Sequence, residues 1–369
     1  MVHYPGVLAF LCSADLVQLG PFSGLAHWAI MTKVLVTGAT GFIGGALVRA
    51  LVVRGDAVRV LVRPGSDLGR LAGLDVETVI GDVTRPETLP PAVEGVRVVY
   101  HLAGMLGRYG VPESAYHALH VEGTCNVVRA CAGRPVERLV QCSSPGMLGA
   151  VAPGEPPRDE RSAHHPVSAY ERSKSAAERA ALPLAAELGV PLVIARPEFV
   201  YGPGDRHVVG LYRAIQRGTF FYIGAGDCLC HPSYIDDVVA GLIACASERT
   251  CASERTCPLE AYHICGPRPV TIRELVRAIA RALEVRPPWL HLPTALVRGG
   301  AWGAEWAGRL LHIEPPLSLE GVRFFTESRA FSIEKARHEL GWEPQVDIAE
   351  GTRRSVNWYR QEGLLGGGR

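Results

Sequence analysis

The sequence predicts an α/β fold built on a doubly wound parallel sheet, and three observations predict it. The first is the stretch Lys33-Val-Leu-Val-Thr-Gly-Ala-Thr-Gly-Phe-Ile-Gly44. A short apolar run, mostly β-branched, suits a strand buried on both faces. Gly38, Gly41 and Gly44 follow at three-residue intervals, then apolar residues at helical spacing as far as Gly55. The second is recurrence. Strand-like runs return at 57–62, 76–83, 96–102, 138–142, 190–195 and 262–265 with helical patterns between them, the alternation of a parallel sheet covered by helices. The third is composition. With 47% hydrophobic and 20% charged residues in 369, the chain can fill a large core, which argues against disorder.

Each element then has its reason. In the first unit the glycines permit a tight turn, let a pyrophosphate approach the backbone, and bring helix and strand close. The helix N-terminus offers free N–H groups and the positive end of its dipole to phosphates. The second strand closes with Arg63-Pro64-Gly65-Ser66. An acid at this strand end would hold a ribose 2′-hydroxyl, whereas an arginine suits a 2′-phosphate. NADP is therefore the expected cofactor, with NAD the alternative. The fifth strand ends in Ser143-Ser144, and Tyr170-Glu-Arg-Ser-Lys174 opens a helix reaching about Leu188. Tyrosine and lysine at i and i+4 share one helical face. An unperturbed phenol titrates near ~10, and a neighbouring ammonium lowers that value. The chain has only three lysines, at 33, 174 and 335, against many arginines, and a compact ammonium fits beside a ribose and a phenol where a planar guanidinium would not.

Some classes are excluded. The net charge is +1 with no basic block, which argues against a nucleic-acid partner. Ten cysteines are scattered without a C-x-x-C pair, so no metal site is expected and the thiols read as buried groups in a reducing cytoplasm. No G-x-S-x-G elbow supports a serine hydrolase. Residues 1–30 carry no Lys or Arg, and Asp15, Gln18 and Pro21 interrupt their apolar runs. They fit neither a signal peptide nor a stable membrane span and read as a loosely held extension before Met31. The hexapeptide Cys245-Ala-Ser-Glu-Arg-Thr250 is repeated verbatim at 251–256, which reads as a local duplication placed at an exposed helix end or loop.

The glycine stretch, Gly81-Asp82, Ser144, Tyr170 with Lys174, Arg196-Pro197 through Tyr201-Gly-Pro-Gly-Asp205, and the C-terminal Ser332-to-Trp342 pattern together resemble the extended short-chain dehydrogenase/reductases. The resemblance covers about residues 31–361. Nearest in pattern is the branch of 3β-hydroxysteroid dehydrogenases and dihydroflavonol reductases. It implies a Rossmann sheet at 31–200 plus 233–266, a smaller interleaved substrate domain at 201–232 plus 267–361, and a flexible tail at 362–369. It implies Tyr170 as general acid/base, Ser144 as hydrogen-bond partner of the substrate oxygen (Ser143 being the neighbouring alternative), and Lys174 on the ribose. Cofactor contacts would come from Gly38, Thr40, Gly41, Phe42, Ile43, Gly44, Arg63, Asp82, Val83, Leu102, Ala103, Lys174, Pro197 and Val200. His120 stands where the family usually has asparagine, which leaves open whether it substitutes or is simply packed.

Substrate class turns on two positions. Nucleotide-sugar members hold a diphosphate with an asparagine after the sixth strand and an arginine ahead of the V-D-D segment. Here those positions are Phe199 and Cys230, both apolar, and they are the expected substrate contacts. The expectation is an oxidoreductase of an apolar secondary alcohol or ketone, steroid- or flavonol-like. The alternative is a nucleotide-sugar epimerase or dehydratase, with Arg206 or Arg213 taking the diphosphate. A non-catalytic cofactor-binding protein is a third reading, against which Ser144, Tyr170 and Lys174 argue. The expected partners are a small-molecule substrate and a second copy of the chain, in the cytoplasm.

Overall fold

A computed structural model describes residues 32–247, 260–311, 313 and 318–366. The expected N-terminal extension and the second hexapeptide copy lie outside the described residues.

Seven strands form one sheet: β1 (Lys33–Thr37), β2 (Ala57–Val62), β3 (Glu77–Ile80), β4 (Val98–His101), β5 (Arg138–Cys142), β6 (Leu192–Pro197) and β7 (Glu260–Ile264). Their order is β3-β2-β1-β4-β5-β6-β7, and every neighbouring pair is parallel. The order reverses between β1 and β4, so the crevice beyond their carboxyl ends is the place where such sheets bind ligands.

The near-continuous apolar runs have a direct cause. Side chains alternate across a strand, and both faces are covered. Val34, Val36, Val58, Val60, Val98 and Tyr100 enter one core, shared with α1 (Phe42–Arg54) and α5 (Ile235–Cys245). Leu35, Leu61, Val99 and Leu192 enter the opposite core. On that side lies α2, which runs from Glu113–Tyr116 through a π-helical turn at His117–Glu122 into Gly123–Cys131. Beside it packs α3 (Ala169–Leu188), opened by a reciprocal Ser168–Glu171 capping box.

Several strands depart from the expected bounds, β4 at 98–101 and β7 at 260–264 among them, and two departures are informative. The third stops at Ile80: the Gly81 amide still donates to the Val62 carbonyl at 2.9 Å, and Asp82 then turns the chain by accepting from the Thr84 amide. The sixth extends to Arg196 and Pro197, further than its apolar run suggested. A charged residue is tolerated there because Glu178 of α3 receives the Arg196 guanidinium at 3.0 and 2.5 Å, and both side chains are buried.

Beyond the sheet, α4 (Val209–Gln216), α6 (Ile272–Leu283) and α9 (Ile348–Gln361) enclose a separate apolar cluster of Tyr212, Ile215, Leu275, Ile279, Val356 and Tyr359. Thr271 and Glu274 form the expected capping box of α6. In α7 (Thr294–Leu311), Val297 and Ala301 pack against Ile223 and against Val322 of α8 (Leu319–Thr326), while Trp302 and Trp306 stay exposed. Residues 362–366 differ from the flexible tail expected of them: Leu365 is buried, and Arg213 and Gln216 donate to the Leu364 and Gly366 carbonyls. Among the described residues no helix is long and apolar enough to cross a membrane, and no His/Cys/Asp/Glu group could hold a metal.

Candidate active site

The glycine turn sets the depth of the crevice. Gly38 takes φ +72°, and a Cβ on it would lie 2.6 Å from the Leu102 carbonyl. A Cβ on Gly44 would lie 2.1 Å from the Gly38 oxygen. Only glycine permits either approach. The turn closes through Gly41 N–H donating to the Gly38 carbonyl at 3.0 Å. Gly41 caps α1 with no side-chain hydrogen bond, and the first turn carries no acid. The amides of Phe42, Ile43 and Gly44 are thus the unpaired donors that a helix start presents to a phosphate.

Thr37 and Ala103 anchor the floor. The Ala103 amide donates to Thr37 Oγ, which lies 2.8 Å from His101 Nδ1. His101 Nε2 is 3.1 Å from Thr124 Oγ, whose own proton goes to the His120 carbonyl. Thr124 must therefore accept, which puts the His101 proton on Nε2. Burial, with Lys174 second, pushes His101 down to about 3, so it is neutral.

At one end of the crevice, Arg63, Pro64, Gly65, Ser66, Ile80, Gly81, Asp82, Arg85 and Thr88 line a cavity of about 380 Å³. Asp82 Oδ1 accepts from the Thr84 amide and hydroxyl. Arg63 and Arg85 are both exposed at its rim.

At the other end, Lys174 donates to the Cys142 carbonyl at 3.0 Å, and its ammonium sits 5.9 Å from the centre of the Tyr170 ring. Burial lowers Lys174 and raises Tyr170, which Cys142, Glu198 and Glu171 raise further while the Ser144 hydroxyl opposes. Lys174 and an oxidised nicotinamide together are expected to lower Tyr170. Among the protein's own groups burial dominates, and with these alone Tyr170 holds its proton. Ser144 Oγ accepts from the Gly146 amide at 3.2 Å and lies 3.5 Å from Glu198 Oε2. Ser143 is buried with its hydroxyl unpaired and its amide tied to the Ala195 carbonyl, so Ser144 is the serine beside Tyr170.

His120 is packed. The Met105 amide donates to Nε2 at 3.0 Å, which puts the proton on Nδ1, 2.8 Å from Ser173 Oγ. Ser173 in turn donates to the Tyr170 carbonyl at 2.7 Å. Burial, Lys174 and His101 lower His120 to about 3. Its task here is to tie the π-turn of α2 to the first turn of α3, a job the sequence left open.

Residues 34–256 match the NAD dependent epimerase/dehydratase family. The chain belongs to that family. The 2-alkyl-3-oxoalkanoate reductase of Stenotrophomonas maltophilia is 33% identical over 87% of this chain and 98% of its own length. Short-chain dehydrogenase/reductase family 42E member 1 of Bos taurus is 29% identical over 92% of this chain and 90% of its own. The solved structure of MoeE5 with UDP-glucose and NAD superposes with a TM-score of 0.68 at 26% identity, covering 89% of this chain and 99% of that one. The chain is therefore an extended short-chain dehydrogenase/reductase and an NAD(P)-dependent oxidoreductase.

Within this epimerase/dehydratase frame the structure brings Ser144, Tyr170 and Lys174 together at the ends of β5 and β6, and it puts Arg63 and Asp82 on the far cavity. Leu102 and Ala103 border the glycine turn. Val83 points into the core and gives its carbonyl to Asn126. Pro197 ends β6, and Val200 pairs with Ser233. Phe199 takes an uncommon φ of +35°, between the rings of Tyr201 at 6.4 Å and Phe324 at 5.0 Å. Cys230 is buried in the second cluster with its thiol toward the Val270 carbonyl.

Sequence reasoning missed four residues. Arg85 joins Arg63 on the cavity; its position three residues after Asp82 was the signal. Buried Glu198 and Glu171 and half-buried Arg329 form a cluster of ionisable side chains beside Ser144. Glu171 Oε1 accepts from Arg329 at 2.6 Å, and the same guanidinium lies 3.9 Å from Glu198. A carboxyl directly after Arg196-Pro197 at a strand end was the available clue. Arg329, 158 residues from Glu171 in sequence, left none.

Proposed function

We propose that this enzyme transfers a hydride between NADP and the carbinol carbon of an apolar secondary alcohol or ketone. The observation that carries the reading is Phe199. Where a diphosphate-binding member would offer an amide, this chain offers a phenyl ring packed on Phe324 and Tyr201. Of the two arginines that could have replaced the lost contacts, Arg213 is tied to the Leu364 carbonyl, while Arg206 is exposed and pairs with Glu362 at 3.5 Å. A relative named for reducing a 3-oxoalkanoate supports a ketone.

The cavity at the end of β2 and β3 fits the adenosine of a dinucleotide, with Asp82 toward the base and Arg63 and Arg85 toward a 2′-phosphate. The free amides of α1 fit its pyrophosphate. When bound, the nicotinamide supplies the hydride in reduction and takes it in oxidation. The protein handles the proton. In reduction, Tyr170 gives its phenolic proton to the substrate oxygen as the carbon becomes a carbinol, and in oxidation it takes that proton back. Ser144 holds the oxygen in reach, and Lys174, fixed by the Cys142 carbonyl, stabilises the phenolate left behind.

The nucleotide-sugar reading remains the second one, favoured by the likeness to MoeE5 with UDP-glucose. A panel of hydrophobic ketones and alcohols beside UDP- and dTDP-sugars separates the two. Ketone turnover with a matching loss of NADPH absorbance is expected. Conversion of a nucleotide sugar with no net cofactor change would overturn the proposal.

A further inference from the structure

Ser144 has one proton and two acceptor sites on its hydroxyl. The Gly146 amide occupies one acceptor site. What remains is shared among Tyr170, the substrate oxygen and Glu198, whose Oε2 is 3.5 Å away. An ionised Glu198 can only accept, so it draws the Ser144 proton toward itself and away from the substrate. A protonated Glu198 donates to Ser144, which frees the Ser144 proton for a carbonyl oxygen.

We propose that Glu198 is a positioning residue that carries a proton in the working enzyme and thereby turns the Ser144 hydroxyl toward a carbonyl substrate. This rests on the ketone reading given above.

The surroundings decide which carboxyl keeps its charge. Two buried carboxyls, Glu171 and Glu198, face one guanidinium, and both are less than a tenth exposed. Arg329 lies 2.6 Å from Glu171 but 3.9 Å from Glu198. Glu171 also accepts from the Val167 and Ser168 amides, so it is satisfied as an anion. Glu198 has no such amides; its donors are Ser144 Oγ at 3.5 Å and Arg329 at 3.9 Å, and a buried carboxyl held so weakly gives up its charge more cheaply than it keeps it. The groups facing it are Ser144 after β5, Tyr170 and Glu171 of α3, Arg329 after α8, Cys230 of the second cluster and Cys265 after β7. Arg329 is the one cation among these, and it is already paired. Burial accordingly raises the Glu198 carboxyl, with Glu171 adding to the rise and Arg329 and Ser144 opposing it.

The test compares the wild type with Glu198→Gln and Glu198→Leu. The amide of glutamine is a permanent donor to Ser144, whereas leucine offers nothing. For ketone reduction at saturating NADPH, wild-type kcat/KM should fall as pH rises through the ionisation of Glu198. Glu198→Gln should lose that limb, and Glu198→Leu should be slower by about tenfold or more at every pH. NADPH affinity, which reports the fold, should stay put in both variants. Coincident pH profiles of wild type and Glu198→Gln would overturn the proposal. A wild type that reduces no ketone would instead sink the ketone reading. Infrared difference spectra then decide Glu198 on its own: a protonated-carboxyl stretch at neutral pH that Glu198→Gln removes supports it, and absence of that band overturns it.

Discussion

The two ends of the cofactor crevice are built on opposite principles. Around the cavity after β2 and β3 the charged groups stand in water: Arg63 and Arg85 are exposed. Around Tyr170 the ionisable groups are buried: Lys174, Glu171 and Glu198 are each less than a tenth exposed, and their partners lie within the protein. Exposed charges are weakly coupled and can be exchanged at modest cost. Buried ones depend on each other, because removing one partner strands the next. The open end therefore suits selection between cofactors, and the closed end suits holding and moving a proton.

The largest expected effect comes from the closed end. Tyr170→Phe removes the proposed proton donor and leaves the ring. Turnover of a ketone should drop by about a thousandfold, while cofactor affinity measured by fluorescence titration stays within a factor of two or so. A variant that still turns over at a tenth of the wild-type rate would show that another group supplies the proton.

Next is the pair that fastens β6 to α3. Arg196→Met leaves Glu178 buried, 1% exposed and uncompensated. Loss of about 3–5 kcal/mol in denaturant unfolding is expected, with much of it recovered when Glu178→Leu is added. If the single variant is as stable as the wild type, the pair is not the anchor described here.

These buried pairs also mark what the sequence could convey. The strand cores and the glycine turn were legible because periodicity and glycine spacing are local: the β2 and β5 bounds agree with the apolar runs at 57–62 and 138–142. Tyr170 and Lys174 were legible because i and i+4 fall on one face. What stayed hidden depended on contacts between distant segments. Nothing near Arg329 announces Glu171, and nothing near Thr124 announces His101. The rise of Tyr170 stayed hidden for the same reason, since burial comes from the whole fold.

At the open end the effects should be smaller and separable. Arg63→Ala and Arg85→Ala should each weaken NADP by about 10–100-fold, the worth of a charged hydrogen bond. NAD, with no 2′-phosphate, should lose little. Isothermal titration with both cofactors measures this. Equal losses for NADP and NAD would remove the arginines from the 2′-phosphate.

The smallest effect per residue concerns acid, and its sign follows from the two neutral histidines beneath the site. In the unfolded chain a histidine takes up its proton near ~6.5. In the folded protein burial holds both His101 and His120 down to about 3. Between those values the unfolded state binds more protons, so stability is fully present above the unfolded value and is lost as pH falls through it. At pH 5.5, one unit below, each histidine should cost about 1.3 kcal/mol relative to pH 7. His231 and His263, lowered by burial to about 4 and about 3, act in the same direction. The pair beneath the site can still be isolated by difference. His101→Gln with His120→Asn keeps hydrogen-bonding groups at both places and removes both titrations. Unfolding free energies at pH 7 and pH 5.5 should differ by about 2.5 kcal/mol less in that double variant than in the wild type. Equal differences in the two proteins would mean that the Thr37–His101–Thr124 and Met105–His120–Ser173 chains already carry a proton at pH 5.5, and the tautomers assigned to both rings would fall with them.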